Sequence, residues 1–215
     1  MGFNGILVFL SPLTSNPTAP DAKHVFGNRW HSDQMYDPNP VKATMLYAKE
    51  LPPVGGDTLF SNLETAYNNL SDGMKLMLAD LRIYCDGADT FRFGGKTREE
   101  RHAGGMDEKL RHGAEEAPKI AIHPLIRTHP ETGRKCIFIG DQAQRFDGMT
   151  MAESKPLIDY LMAYIQRPEF TCRVQWEPRS LVLWDNRCTC HYAIADYAGH
   201  TRRMQRVTIA GDTPF

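Results

Sequence analysis

The sequence predicts a mainly β domain with a few covering helices, of the sandwich or jelly-roll class. Three observations carry that reading. Short β-like runs dominate the chain, only two segments show helical periodicity, and neither an internal repeat nor a linker divides it. The 215 residues suit one domain, 1–215, and a chain of this size buries roughly 70–75% of its unfolded surface. With 41% hydrophobic and 24% charged residues, the composition excludes disorder, collagen and coiled coil as the main organisation.

The elements follow in chain order. Ile6 to Leu10 is an apolar run, but no Lys or Arg precedes Lys23, and a signal peptide needs a basic start and a longer apolar core. The run therefore reads as a strand. Val41 to Leu51 is β-like and ends in the turn signal Pro52-Pro53-Val54-Gly55-Gly56. From Leu63 to Leu81 the apolar residues Leu63, Tyr67, Leu70, Met74, Met77, Leu78 and Leu81 recur at helical spacing, with a break expected at Ser71-Asp72, a good N-cap pair. Between Lys96 and Lys119, 12 of 24 residues are charged and glycines recur, which reads first as a solvated loop and second as an active-site lid. Ile126-Arg127-Thr128 and the run from Cys136 to Ile139 flank Glu131-Thr132-Gly133-Arg134, a hairpin turn. A second helix, Met151 to Gln166, gathers Leu157, Ile158, Leu161, Met162 and Ile165 on one face. Thr171 to Trp176 alternates weakly, Leu181 to Trp184 is continuously apolar, and Arg206 to Ala210 is rich in β-branched residues.

Charge and cysteines set the setting. A net charge of −1 argues against a nucleic-acid partner, which requires a broad basic face, but leaves room for a small anionic ligand held by one buried Arg. No apolar stretch approaches the roughly 20 residues needed to span a bilayer. Five scattered cysteines do not form a secreted disulfide framework, so a reduced, cytoplasmic protein is expected.

Trp30-His31-Ser32-Asp33 contains an H-x-D triplet. On a strand or strand end, residues two apart share a face, which suits two ligands of one metal. A third ligand must come from far along the chain. His24, His102, His112 and His200 lie in polar surroundings, and His123 and His129 flank Pro124-Leu125-Ile126 as core or turn histidines. His191 differs, because it follows the apolar run Leu181 to Trp184 across Asp185-Asn186-Arg187. Two imidazoles and one carboxylate make the facial triad of non-haem iron oxygenases, although zinc hydrolases share the same ligands. Cys188-x-Cys190 is a rival soft-metal pair, but no second pair stands at structural-zinc spacing, and buried inert thiols are the stronger reading. Arg202 and Arg206 are four apart on the expected last strand, hence on one face. There a guanidinium can clamp the far carboxylate of a metal-chelating dicarboxylate; two surface arginines are the alternative.

These pieces, taken in order, resemble the taurine dioxygenase-like family of Fe(II)/2-oxoglutarate-dependent dioxygenases. The resemblance runs through Trp30-His31-Ser32-Asp33, Ala48-Lys49-Glu50-Leu51-Pro52, Gly55-Gly56-Asp57-Thr58-Leu59-Phe60, His123-Pro124-Leu125 and Arg127-Thr128-His129-Pro130. It closes with Trp184-Asp185-Asn186-Arg187, His191-Tyr192-Ala193, Ala195-Asp196-Tyr197 and Arg203-Met204-Gln205-Arg206. It implies a double-stranded β-helix (jelly-roll) core, iron ligation by His31, Asp33 and His191, and 2-oxoglutarate held by Thr58 and Arg202. It also implies that Arg206 faces the acidic group of the substrate. The implied reaction consumes dioxygen and 2-oxoglutarate, releases succinate and carbon dioxide, and hydroxylates a small anionic substrate: a sulfonate, sulfate ester or aryloxyalkanoate. Retention of Asp33 favours hydroxylation over halogenation. Where the taurine enzyme has an asparagine, four residues before the first iron-binding histidine, this chain has Gly27, which separates it from taurine itself. Tyr36 and Phe138 are wall residues or core. Relatives often form homo-oligomers, and they usually carry a longer N-terminal part than the 29 residues found before Trp30. A catalytically impaired jelly-roll binding protein and a zinc hydrolase using the same triad are the rival functions.

Overall fold

The computed structural model describes residues 9–15, as backbone, together with residues 27–87 and 120–215. The charged segment 96–119, His24, His102, His112 and most of the Ile6–Leu10 run lie outside the described residues. Among the described residues, twelve strands and three α-helices follow one another, with a short 3-10 turn at Pro168–Phe170: β1 (Phe9–Ser15), β2 (Ala43–Glu50), β3 (Thr58–Asn62), α1 (Leu63–Asn68), α2 (Asp72–Leu78), β4 (Arg82–Asp86), β5 (Ile120–Pro124), β6 (Ile126–Thr128), β7 (Lys135–Ile137), β8 (Ala143–Phe146), α3 (Met151–Ile165), β9 (Thr171–Val174), β10 (Leu181–Asp185), β11 (Thr189–Ala193) and β12 (Arg202–Ile209).

The larger sheet has the order β1-β12-β2-β10, and a smaller one has the order β11-β3-β9, both antiparallel throughout. Alternation aims Leu46 and Ala48 of β2, Trp184 of β10 and Met204 of β12 at Phe60 of β3, so a small apolar core lies between these sheets. The opposite face of the smaller sheet, including Cys190, joins a larger core with Leu63, Ile83, Ile137, Phe146, Leu161 and Ile165. A third sheet, β5-β4-β8, and the hairpin β6-β7 enclose that core. This is the expected jelly roll. On β10 the apolar run has two fates: Trp184 points inward, whereas Leu181 and Leu183 are about 60% exposed (61% and 60%) on the outer face.

The expected helix break falls at Ser71, whose hydroxyl caps Met74 N and starts α2. Thr150 and Glu153 form a capping box at the start of α3. Alternation is too brief in Thr58–Asn62, Arg82–Asp86, Ile120–Pro124, Ala143–Phe146 and Thr189–Ala193 to mark these strands in sequence, and the last strand begins at Arg202, earlier than the β-branched run. No helix among the described residues is long and apolar enough to cross a membrane.

One ion-pair network ties the end of β10 to the β6-β7 hairpin. Arg187, 3% exposed, donates to both oxygens of Asp185 (2.6–3.1 Å), and through Nη1 to Glu131 (3.1 Å), which Lys42 also holds at 2.6 Å. Burial pushes the Asp185 carboxyl up, but its bonds from Arg187 and His129 outweigh this and bring it from 3.8 to about 2. A depressed carboxylate stabilises the fold above its unfolded pKa and loses that contribution as pH falls through the folded one. Arg187→Met therefore costs about 2 kcal/mol at neutral pH, after allowance for the partial exposure of Asp185. Thermal melts will show a smaller difference between wild type and variant at pH near 2 than above pH 4.

Candidate metal centre

His31 and His191 face each other across an isolated antiparallel bridge: His31 N donates to His191 O (3.0 Å) and His191 N to His31 O (2.8 Å). Directly opposed residues project to the same face, and the two imidazole centroids are 4.1 Å apart. Asp33 follows in a turn and brings its Oδ1 to 3.7 Å from His31 Nε2 and 3.8 Å from His191 Nε2. Thus one carboxylate oxygen and two imidazole nitrogens converge in the space between the two sheets. The structure brings together the three residues that the family resemblance implies, with Asp33 in a turn beyond the strand end.

Each ligand is oriented by its surroundings. His31 Nδ1 donates to the Arg29 carbonyl at 2.7 Å, which leaves the Nε2 lone pair for a metal. The His191 ring is set by packing, with the Trp184 centroid at 4.8 Å and Phe60 at 6.0 Å. Burial, followed by the charge on neighbouring His31, pushes His191 down to about 3, so its imidazole is neutral and ready to coordinate. Burial also works against charge on His31 and Asp33. For His31 the Asp33 carboxylate wins and raises the pKa; for Asp33 the two histidines and Arg206 hold it well below the carboxylate range. The N, N, O donor set, its burial and its oriented nitrogens fit Fe(II) bound on one face, with three further positions left open.

Arg202 and Arg206 occupy inward positions of β12, with Met204 between them; the register slip between Arg203 and Met204 is taken up on β2. Arg206 Nη1 lies 3.7 Å from Asp33 Oδ1. Arg202 is buried, donates from Nε to Gly56 O at 3.0 Å, and lies over the Trp176 ring at 5.8 Å. Trp176 Nε1 donates to Thr58 Oγ1 at 3.0 Å, so one indole links Thr58 and Arg202 on a single wall. Gly55 and Gly56 shape that wall with positive φ of 78° and 75°. A Cβ on Gly55 would collide with the Asp196 carboxylate, and one on Gly56 would lie 3.1 Å from Arg202 Cδ. Trp176 and Thr44 were given no role by sequence reasoning, since their partners are distant in the chain, and Asn186 entered only as part of the Trp184-Asp185-Asn186-Arg187 run.

The rival clusters resolve otherwise. His129, Asp185 and Cys188 also lie within 4.8 Å of one another. Yet His129 Nδ1 accepts from Glu131 N and Thr132 N, which places the ring proton on Nε2, where it is donated to Asp185. No lone pair remains for a metal, and Arg187 already neutralises the carboxylate. Cys190 is fully buried, and burial pushes the Cys188 thiol up to about 12, so both are inert thiols. His123 is buried and donates to Met35 O at 2.9 Å, while His200 is exposed. Phe138 lies fully in the larger core and Tyr36 packs against it, so both serve packing.

A jelly roll that carries a buried N, N, O donor set between its sheets, with two arginines on β12 of the larger sheet, belongs to the class of metal-site proteins built on the double-stranded β-helix. Residues 3–208 match the family described as "Taurine catabolism dioxygenase TauD, TfdA family", and the chain belongs to that family. It is 31% identical over 217 residues to the alkylsulfatase of Acinetobacter baylyi, covering 95% of this chain and 67% of that one. It is 34% identical over 196 residues to the alpha-ketoglutarate-dependent 2,4-dichlorophenoxyacetate dioxygenase of Burkholderia sp. (strain RASC), covering 89% and 62%. The crystal structure of AAD-2 in complex with Mn(II) and N-oxalylglycine superposes with a TM-score of 0.76 at 28% identity, covering 93% of this chain and 75% of that one. The chain therefore spans about two thirds of the length of these curated relatives.

If the three donors form one site, the protein binds a single equivalent of Mn(II) or Fe(II) and melts at higher temperature with it. His31→Ala and His191→Ala, each leaving two donors, lose most of that metal-induced shift in differential scanning fluorimetry, while Cys188→Ser keeps it.

Proposed function

We propose that residues 1–215 act as one Fe(II)- and 2-oxoglutarate-dependent dioxygenase domain that hydroxylates a small anionic organic substrate. The observation that carries this reading is the placement of Arg202 and Arg206 on one face of β12, Arg206 at 3.7 Å from Asp33 of the triad and Arg202 on the wall shared with Thr58 and Trp176. A hydrolase needs a metal-bound water and a general base. Two inward guanidiniums instead suit two separate anions, a dicarboxylate cosubstrate and an acidic substrate.

When bound, Fe(II) supplies the redox chemistry that couples oxidative decarboxylation of 2-oxoglutarate by dioxygen to hydroxylation of a substrate carbon, with succinate and carbon dioxide as co-products. His31, Asp33 and His191 would hold the metal. Thr58 and Arg202 bind the far carboxylate of 2-oxoglutarate. The Thr58 oxygen already accepts from Trp176, so its proton is the atom available to the carboxylate. The Nε bond to Gly56 O fixes the plane of the Arg202 guanidinium before the ligand arrives. Arg206 orients the acidic group of the substrate so that a carbon near it is presented to the metal. Hydroxylation beside the heteroatom of a sulfate ester, aryloxyalkanoate or sulfonate collapses to a carbonyl compound and releases the other fragment. Gly27 supports a substrate other than taurine: it offers no side chain beside the His31 ring, from which an added Cβ would lie 3.1 Å. Five free thiols suit a cytoplasmic setting.

Anaerobic addition of Fe(II) and 2-oxoglutarate will produce a weak visible charge-transfer band that His31→Ala abolishes. A metal-loaded protein without the band is not a dioxygenase of this kind. In air, succinate formation scored across sulfonates, sulfate esters and aryloxyacids identifies the substrate class. Arg202→Lys raises the KM for 2-oxoglutarate about tenfold, because a point charge replaces the fork. Arg206→Ala instead raises the KM for the organic substrate.

A further inference from the structure

Asp33 offers only one oxygen to the metal position, and the reason lies behind it. Its Oδ2 accepts a hydrogen bond from Thr44 Oγ1 at 2.7 Å, while Oδ1 faces both histidines. A threonine hydroxyl has a single proton. Thr44 Oγ1 also accepts from Asn186 Nδ2 at 2.8 Å, so that proton is directed to Asp33. The Asn186 amide is itself oriented: its Oδ1 accepts from Trp184 Nε1 at 2.9 Å and from Asp33 N at 3.3 Å, which leaves only the NH2 side for Thr44. Each bond in the relay Trp184 to Asn186 to Thr44 to Asp33 therefore has one allowed direction.

Burial makes the relay decisive. Asn186 is 1% exposed, Thr44 is fully buried and Asp33 is 6% exposed, so water does not take over a lost bond. The backbone of Asn186 adds to it: the Asn186 carbonyl accepts from Ser32 Oγ at 2.7 Å, and its N–H donates to Lys42 O at 2.9 Å. One residue at the end of β10 thus holds the turn that carries Asp33 by both side chain and main chain.

We propose that Asn186, acting through the Thr44 hydroxyl, is the positioning residue that keeps Asp33 a single-oxygen ligand. This inference rests on the metal reading of the triad. With Oδ2 occupied, the carboxylate does not turn to chelate through both oxygens, and the positions needed by cosubstrate and dioxygen stay open. Neither Thr44 nor Asn186 touches the metal position; both act through Asp33.

The test uses the full chain with Mn(II) for affinity and Co(II) for its coordination-sensitive visible spectrum, recorded with 2-oxoglutarate. Thr44→Val has the same shape without the donor, and Thr44→Ser restores the donor. Asn186→Asp turns the relay round, since an acceptor would then face the Thr44 oxygen. Thr44→Val and Asn186→Asp are expected to weaken Mn(II) binding about tenfold and to change the Co(II) spectrum, with Thr44→Ser close to wild type. A lower melting temperature in Thr44→Val and Asn186→Asp with unchanged affinity and spectrum reduces the relay to a packing role and overturns the proposal. Should Thr44→Val fail to fold, Asn186→Asp decides the question alone. If wild type and His31→Ala bind Mn(II) equally well, the metal reading itself has failed, and this inference falls with it.

Discussion

Two backbone hydrogen bonds, His31 N to His191 O and His191 N to His31 O, are the constraint on which the site depends. They join the loop ahead of β2 to β11, two segments that share no local sequence signal. Because opposed residues in an antiparallel pair project to one face, this bridge alone aligns the imidazoles, and it carries Asp33 into reach two residues later. A one-residue slip would turn one histidine to the other face, where Cys190 and Tyr192 belong to the larger core. The pairing of β11 with β3 guards against that slip: His191 opposes Phe60 and Ala193 opposes Thr58, so the metal position and the Thr58 wall are locked in one register.

The small core between the sheets serves the site as much as the fold. Phe60 and Trp184 are core residues by burial, and both pack on the His191 ring. Trp184 also donates its indole N–H to Asn186, so the same side chain is an apolar clamp for the His191 ring and a polar anchor for the amide behind Asp33. Trp176 repeats the pattern on the opposite wall, with its ring beneath Arg202 and its N–H on Thr58. Indoles suit this place because a buried ring contributes area to the core while its single donor fixes a hydrogen-bond direction.

Legibility in the sequence tracks how local the determining interaction is. The break at Ser71 and the helix from Met151 were readable because capping and periodicity act within one or two turns. The H-x-D triplet was readable because its two residues are local, whereas the choice of His191 among the other histidines came from the family resemblance. The strands Arg82–Asp86 and Ala143–Phe146 were not, since each is short and is held by partners distant in the chain. Asn186 shows the same limit. Within Asp185-Asn186-Arg187 it reads as part of a polar turn, and its meaning appears only when β2 brings Thr44 alongside. Arg187, its neighbour, is buried for an unrelated purpose, in the network that holds the β6-β7 hairpin.

Charge balance narrows the proposed substrate further. Of the two guanidiniums on this face of β12, Arg206 lies 3.7 Å from Asp33, whereas Arg202 feels the charge of Asp57 and is held through Gly56 O. On the proposed reading, a dication and a dianionic cosubstrate join them. The dication is offset by Asp33 and one charge of 2-oxoglutarate, and Arg202 offsets the other. On that reading Arg206 is the guanidinium left to face the organic acid, because its present neighbour, Asp33 at 3.7 Å, would be engaged by the metal. A half-buried guanidinium whose neighbouring carboxylate is committed elsewhere attracts an arriving monoanion, whereas a dianion would bring a second charge with no partner there. Sulfonates, sulfate monoesters and aryloxyalkanoates each carry one negative charge at neutral pH, while phosphate monoesters carry close to two.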